Sequence, residues 1–167
     1  MKQTLAKLLL TLACLPLALG GWYFDAVRTP PTHLFNPAWP PHARYHDACW
    51  LLASSVATLG AWYLLWAPHE ARNSRLAVRG AAFLPGLFYA AFLLALPVPG
   101  VTPWNDGKVP TQAVAPQIVL ASAALLVLAA ALLLDAWGRR AAGLARAASG
   151  VTPTPQTAAG GGRGAAK

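Results

Sequence analysis

The sequence predicts an all-α integral membrane protein: a four-helix bundle with both termini in the cytoplasm and a structured Pro/His-rich outer loop. Three observations carry this. Four long stretches lack any Asp, Glu, Lys, Arg or His. The lysines and arginines between them divide ten to three in favour of the side that holds both termini. Only 11 % of residues are charged and 56 % are hydrophobic, whereas a soluble domain carries about 25 % charged residues to cover its surface.

The first stretch runs from Leu8 to Phe24, the second from Ala48 to Pro68, the third from Gly80 to Asn105 and the fourth from Val109 to Leu134. Crossing the hydrocarbon takes about 20 apolar residues. Backbone polar groups there must be bonded internally, so such runs are helices. Pro97, Pro99 and Pro103 end the third helix near Leu96, and Pro116 suits the first turn of the fourth, where a missing N–H costs nothing. The helices are expected at about 4–24, 46–66, 76–96 and 116–137 within a membrane domain 1–149. The tail 150–167 is Ala, Gly, Thr and Pro with little to bury, and is expected to be disordered. Lys2 and Lys7 ahead of Leu8–Leu19 also resemble a signal peptide, so retention and cleavage of the first helix both stand as readings. Trp22, Tyr23 and Phe24 directly after it fit an aromatic belt.

On the side of the termini lie Lys2, Lys7, Arg72, Arg75, Arg79, Arg139, Arg140, Arg146, Arg163 and Lys167; opposite are Arg28, Arg44 and Lys108. Basic residues collect on the cytoplasmic face, which places the termini inside and points to a multi-pass protein of the bacterial inner membrane. The net charge of +8 sits in short clusters between apolar runs, so it reads as an orientation signal, with no nucleic acid among the expected partners.

Lipid adds no hydrophobic drive between helices, so small residues and a few polar contacts must join them. Ala82, Gly86 and Ala90 form a small-residue seam on the third helix, beside a kink expected at Pro85. Gln117, Ala121, Ala124, Leu128, Ala131 and Asp135 fall on one face of the fourth, and Asp47, Leu51, Ser54 and Thr58 on one stripe of the second. Packing accounts for these stripes; a polar-lined cavity opening outward from the second helix, with Asp47 at its mouth, accounts for them too. Cys14 and Cys49 would differ in depth by roughly 9 Å at ~1.5 Å per residue, beyond the ~7 Å reach of a disulfide.

The first loop, Asp25 to Asp47, holds three of the four histidines, His33, His42 and His46, with Arg28, Arg44, both aspartates and five prolines. Pro40 and Pro41 suggest a helix that starts there and runs into the second span, with His42 and His46 one turn apart on one face. Such a pair can bind a metal, completed by His33 or Asp47, although His-x₃-His alone is a weak metal signal. It can also serve as a proton acceptor near neutral pH. Arg44 can pair with Asp25 or Asp47, or meet a lipid phosphate. A structural cap of headgroup-bonding side chains is the plainest reading of the whole loop.

The run Thr32-His-Leu-Phe-Asn-Pro-Ala-Trp-Pro-Pro-His-Ala-Arg-Tyr-His46 resembles the signature of a family of small four-helix membrane proteins of unknown function found in bacteria and fungi. The resemblance implies four spans and marks His33, Asn36, Pro37, Trp39, Pro41, His42 and His46 as shared residues; it brings no established activity. By topology alone the layout is also similar to DoxX-like proteins and to the sterol-isomerase and sigma-2-receptor superfamily, and fold does not determine function.

Phosphate-cradling Gly-rich loops, nucleophile elbows and zinc-finger spacings are absent from the sequence. The expected function is therefore that of a membrane protein binding a lipid, a hydrophobic small molecule or a membrane partner, with His33, Asn36, Trp39, Arg44, Ser54 and Thr58 as candidate ligand contacts. The alternative is a membrane enzyme acting on a lipid or isoprenoid, with His42 or His46 as acid–base and Asp47 orienting one of them. The cofactor is left open, as is a homo-oligomer.

Overall fold

The computed structural model describes residues 1–27, 33–68, 71–104 and 114–149. The tail 150–167 lies outside them, as do Arg28, Thr32, His69 and Lys108. The described residues form an all-helical bundle with no strand. Helix α1 spans Lys2–Leu15 and continues through wide π-helical turns at Pro16–Gly20 and Trp22–Val27. Helix α2 spans Pro41–Trp66, α3 Ala71–Leu94 and α4 Pro116–Ala148. With Lys2–Val27 taken as one rod, all four are long and apolar enough to cross a membrane.

Prolines set several of these boundaries. Pro41 sits in the first turn of α2 and Pro116 in that of α4, where neither removes a needed hydrogen bond. Pro16 falls inside the first rod, and the turns from Pro16 onward are widened, as expected where a missing N–H breaks the i→i−4 ladder. Helix α4 continues beyond Trp137 to Ala148, farther than its apolar run, because the Ala- and Arg-rich segment that follows is itself a good helix former.

The helices form a ring in which α1 packs on α4, α4 on α3, α3 on α2 and α2 back on α1. The Lys2 ammonium lies 5.7 Å from the centre of the Trp137 ring. Lys7 donates to the Leu65 carbonyl at 2.7 Å and sits over the Trp66 ring. Arg139 donates to Ser74 at 3.0 Å. The start of α1, the end of α2, the start of α3 and the end of α4 therefore share one end of the bundle. At the opposite end the Trp50 ring packs on Phe88 and Phe92, and Gln117 donates to the Pro103 carbonyl.

The buried stripes follow helical periodicity. On α4 they are Ala121, Ala124, Leu128, Ala131 and Asp135; on α2, Leu51, Ser54, Ala57, Thr58, Ala61 and Leu65. On α3 the core face is Val78, Ala81, Pro85 and Tyr89. Of the seam expected there, Ala82 is buried while Gly86 and Ala90 are only half-buried. Small residues set the spacing. A Cβ on Gly80 would stand 3.1 Å from Leu64, and one on Gly138 would stand 3.2 Å from Gln3. Outward, Leu12, Leu19, Val56, Leu59, Phe83, Leu126 and Leu133 are exposed, an apolar surface that suits lipid rather than water.

Polar ties cross the bundle where the core needs them. The Tyr89 hydroxyl, buried on α3, donates to the Ala13 carbonyl at 2.6 Å, just ahead of the widened turns of the first rod. Trp62 and Trp66 donate to the carbonyl and hydroxyl of Thr11, and Trp22 donates to Ser55 at 2.9 Å. Cys14 is buried, Cys49 is exposed and both are free thiols. Tyr89→Phe keeps the ring and removes only the α3–α1 hydrogen bond, so it should lower unfolding free energy by about 1 kcal/mol. Thermal unfolding in detergent should show the lower midpoint with helical circular dichroism unchanged; an unaltered midpoint means this bond contributes nothing.

Candidate functional site

The end of the bundle opposite Lys2 and Arg139 is capped by the end of the first rod, residues 33–40 and the start of α2. Residues 33–40 are held by their own backbone. The Asn36 N–H donates to the His33 carbonyl at 2.9 Å and the Trp39 N–H to the Asn36 carbonyl at 3.1 Å. The Asn36 side-chain oxygen accepts the Ala38 N–H at 2.9 Å, an Asx turn. The segment is tied to the first rod twice: the Leu34 N–H donates to the Asp25 carbonyl at 3.0 Å, and His33 Nδ1 meets the Asp25 carboxylate at 3.2 Å. The Trp39 ring packs edge-on against His33, centres 4.9 Å apart.

The candidate residues divide into two groups. His42 and His46 lie together on one face of α2, exposed, with Nε2 atoms 3.0 Å apart. One ring must donate and the other accept, so this contact exists only while at least one imidazole is neutral. Arg44 and Asp47 fall on another face of the helix, as about 100° per residue requires. There the charges of Asp25, His33 and Asp47 act on one another. His33 is paired with Asp25, and Asp47 lies close enough to feel the charge of His33. Among the described residues Arg44 forms an ion pair with neither aspartate, and Arg44 Nε and Asp47 Oδ2 are buried without a hydrogen-bond partner.

Below this cap, Ser54 and Thr58 are buried in the bundle. Ser54 donates to the Leu51 carbonyl of its own helix at 2.9 Å, whereas Thr58 Oγ1 has no partner. Among the described residues no three His, Cys, Asp or Glu side chains are grouped to hold a metal ion.

At the end shared by the start of α1 and the end of α4, arginines that the sequence marks only as orientation signals gather around Asp135 of the α4 stripe. A recess of about 450 Å³ between α3 and α4 is lined by Arg75, Arg79, Asp135, Arg139 and Arg140. Asp135 is buried and accepts from Arg139 Nε at 2.8 Å. Adjoining it is a second recess of about 340 Å³, walled by Ala82, Phe83, Gly86, Leu125, Leu128 and Ala129. The i,i+4 spacings of Arg75 with Arg79 and of Asp135 with Arg139 are visible in the sequence; that the two helices face each other there is not.

No family model, curated protein or solved structure matches the chain.

Because His42 and His46 are exposed, replacing both with Ala should shift unfolding free energy by no more than about 0.5 kcal/mol. Asp25→Ala should instead loosen residues 33–40, seen as faster hydrogen exchange at the Asn36 and Trp39 amides. The opposite ranking would mean that the outer cap is held by the exposed pair and not by the aspartate.

Proposed function

We propose that this multi-pass membrane protein binds a lipid or hydrophobic small molecule in the cleft between α3 and α4, without catalysing a reaction on it. One observation carries the reading: the 340 Å³ recess walled by Ala82, Phe83, Gly86, Leu125, Leu128 and Ala129. It arises because the small residues leave space between two helices that otherwise pack closely. Its lining is almost wholly apolar, which suits an alkyl chain or ring system. Leu128 supplies its buried wall, while Phe83 and Ala129 are exposed at its edges, on a surface suited to lipid.

The ten-to-three division of basic residues supports termini on the cytoplasmic side. The recess then opens toward the inner leaflet, and residues 33–40 with the start of α2 form an outer cap. The resemblance of residues 32–46 to the signature of a small four-helix family supports treating that cap as a shared structural feature. Binding is favoured over acid–base catalysis because His42 and His46 are exposed and bonded to each other, while the apolar recess lies between other helices.

Ala129→Phe fills the cleft from its exposed edge without entering the buried stripe. It should reduce the hydrophobic molecules retained through detergent purification several-fold, as counted by native mass spectrometry and lipid extraction. The unfolding free energy should stay within about 0.5 kcal/mol of wild type, as for other exposed positions. Equal retention by the two proteins would reject the cleft as the binding site.

A further inference from the structure

We infer that the arginine-lined recess at the termini end of α3 and α4 is a headgroup site for one anionic phospholipid of the inner leaflet, with an acyl chain in the adjoining cleft. This deepens the binding reading above and rests on it. The recess sets four guanidinium groups, Arg75, Arg79, Arg139 and Arg140, around the single carboxylate of Asp135. That carboxylate is already engaged: Arg139 Nε donates to it at 2.8 Å while Arg139 Nη1 donates to Ser74 at 3.0 Å. Arg75, Arg79 and Arg140 are exposed and form no ion pair among the described residues. Three cations around a concave surface call for an anion, and guanidinium forks match phosphate oxygens in geometry as well as charge.

The second recess identifies the source of that phosphate. It shares Arg79 and Leu132 with the first, so the polar and apolar recesses adjoin. From Arg75 to Gly86 the line along α3 covers about 16 Å at ~1.5 Å per residue, running from charged to apolar lining. A free phosphate or a soluble nucleotide would use only the first part. A phospholipid uses both, and its polar-to-apolar order matches. Lys2 over Trp137 and Lys7 over Trp66 mark the same end of the bundle with a basic and aromatic border, where headgroups lie. Basic recesses between membrane helices on the cytoplasmic side suit acidic headgroups for the same reason. The Asp135–Arg139–Ser74 bonds position the recess by joining α4 to α3 at its floor.

The test is native mass spectrometry of the whole protein titrated with phosphatidylglycerol or phosphatidylcholine of identical chains, with glycerol phosphate as a soluble competitor. Wild type should prefer phosphatidylglycerol by about tenfold, the scale set by one to two interfacial arginines. Combining Arg75→Gln, Arg79→Gln and Arg140→Gln should abolish the preference while leaving residual lipid bound. The corresponding triple Lys variant keeps the charge and should keep most of the preference, which separates loss of charge from loss of fold. Equal binding of the two lipids by wild type would overturn the anionic site and leave the hydrophobic cleft standing. Binding of neither lipid would overturn both. Competition by glycerol phosphate at concentrations matching the lipid would mean a free-anion site and would overturn the lipid assignment.

Discussion

Hydrocarbon contains nothing to hydrogen-bond with, and the arrangement of this protein follows from that. A proline inside a membrane helix breaks the ladder, and the chain has one inside its first rod and another, Pro85, inside α3. Pro16 lacks the N–H that would bond the Leu12 carbonyl, and wider turns follow it; the next carbonyl, that of Ala13, accepts the Tyr89 hydroxyl of α3. Side-chain donors also reach carbonyls near the helix ends: Lys7 to Leu65 and Trp62 to Thr11. The same logic marks the exceptions, since Thr58 Oγ1, Arg44 Nε and Asp47 Oδ2 are buried without partners.

With lipid as solvent, burying Leu against Leu gains little over leaving it in acyl chains. Close approach must come from small side chains, and the core is accordingly rich in alanine: Ala6, Ala13, Ala61, Ala81, Ala121 and Ala131 are all buried. Where small residues meet one large partner, as Gly80 meets Leu64, the fit is tight. Between α3 and α4, Ala82 and Gly86 stand beside Leu125 and Leu128, and the cleft lies among them. Packing and binding thus share one cause: the side chains that let these helices approach also prevent them from filling the space between them. At the termini end, Asp135 and Arg139 close the floor of that space, while the remaining arginines keep it charged.

Much of this was legible in the sequence. The buried faces of α2 and α4 followed from period alone: Ser54 and Thr58 lie where their stripe places them, as do Ala121, Ala124, Leu128, Ala131 and Asp135. The start of α2 at Pro41 was readable from its proline pair. On α3 Ala82 of the expected seam lies in the core, but Gly86 and Ala90 are half-buried and the core continues through Val78, Ala81, Pro85 and Tyr89. Side-chain size alone does not tell which face meets the neighbouring helices. At the outer cap, the pairing of His42 with His46 was legible because both lie on one helix face. The pairing of His33 with Asp25 was not, because it depends on how the loop folds back on the first rod. The arginine recess escaped sequence reasoning for a related reason: Arg75 and Arg79 lie on α3, Arg139 and Arg140 on α4, and only packing brings the pairs together.

Chemical labelling across the membrane tests most directly the four-span bundle and the proposed orientation, with its arginine end in the cytoplasm. In a background of Cys14→Ala and Cys49→Ser, single cysteines are introduced at Tyr45, in the outer cap, and at Leu144, beyond the arginine end of α4; both positions are exposed. A membrane-impermeant maleimide applied to intact cells of the expression host should modify Tyr45→Cys at once and Leu144→Cys only after permeabilisation. Labelling of Leu144→Cys in intact cells, with Tyr45→Cys protected, would invert the orientation. Both positions reacting from the same side would contradict the four-span bundle itself.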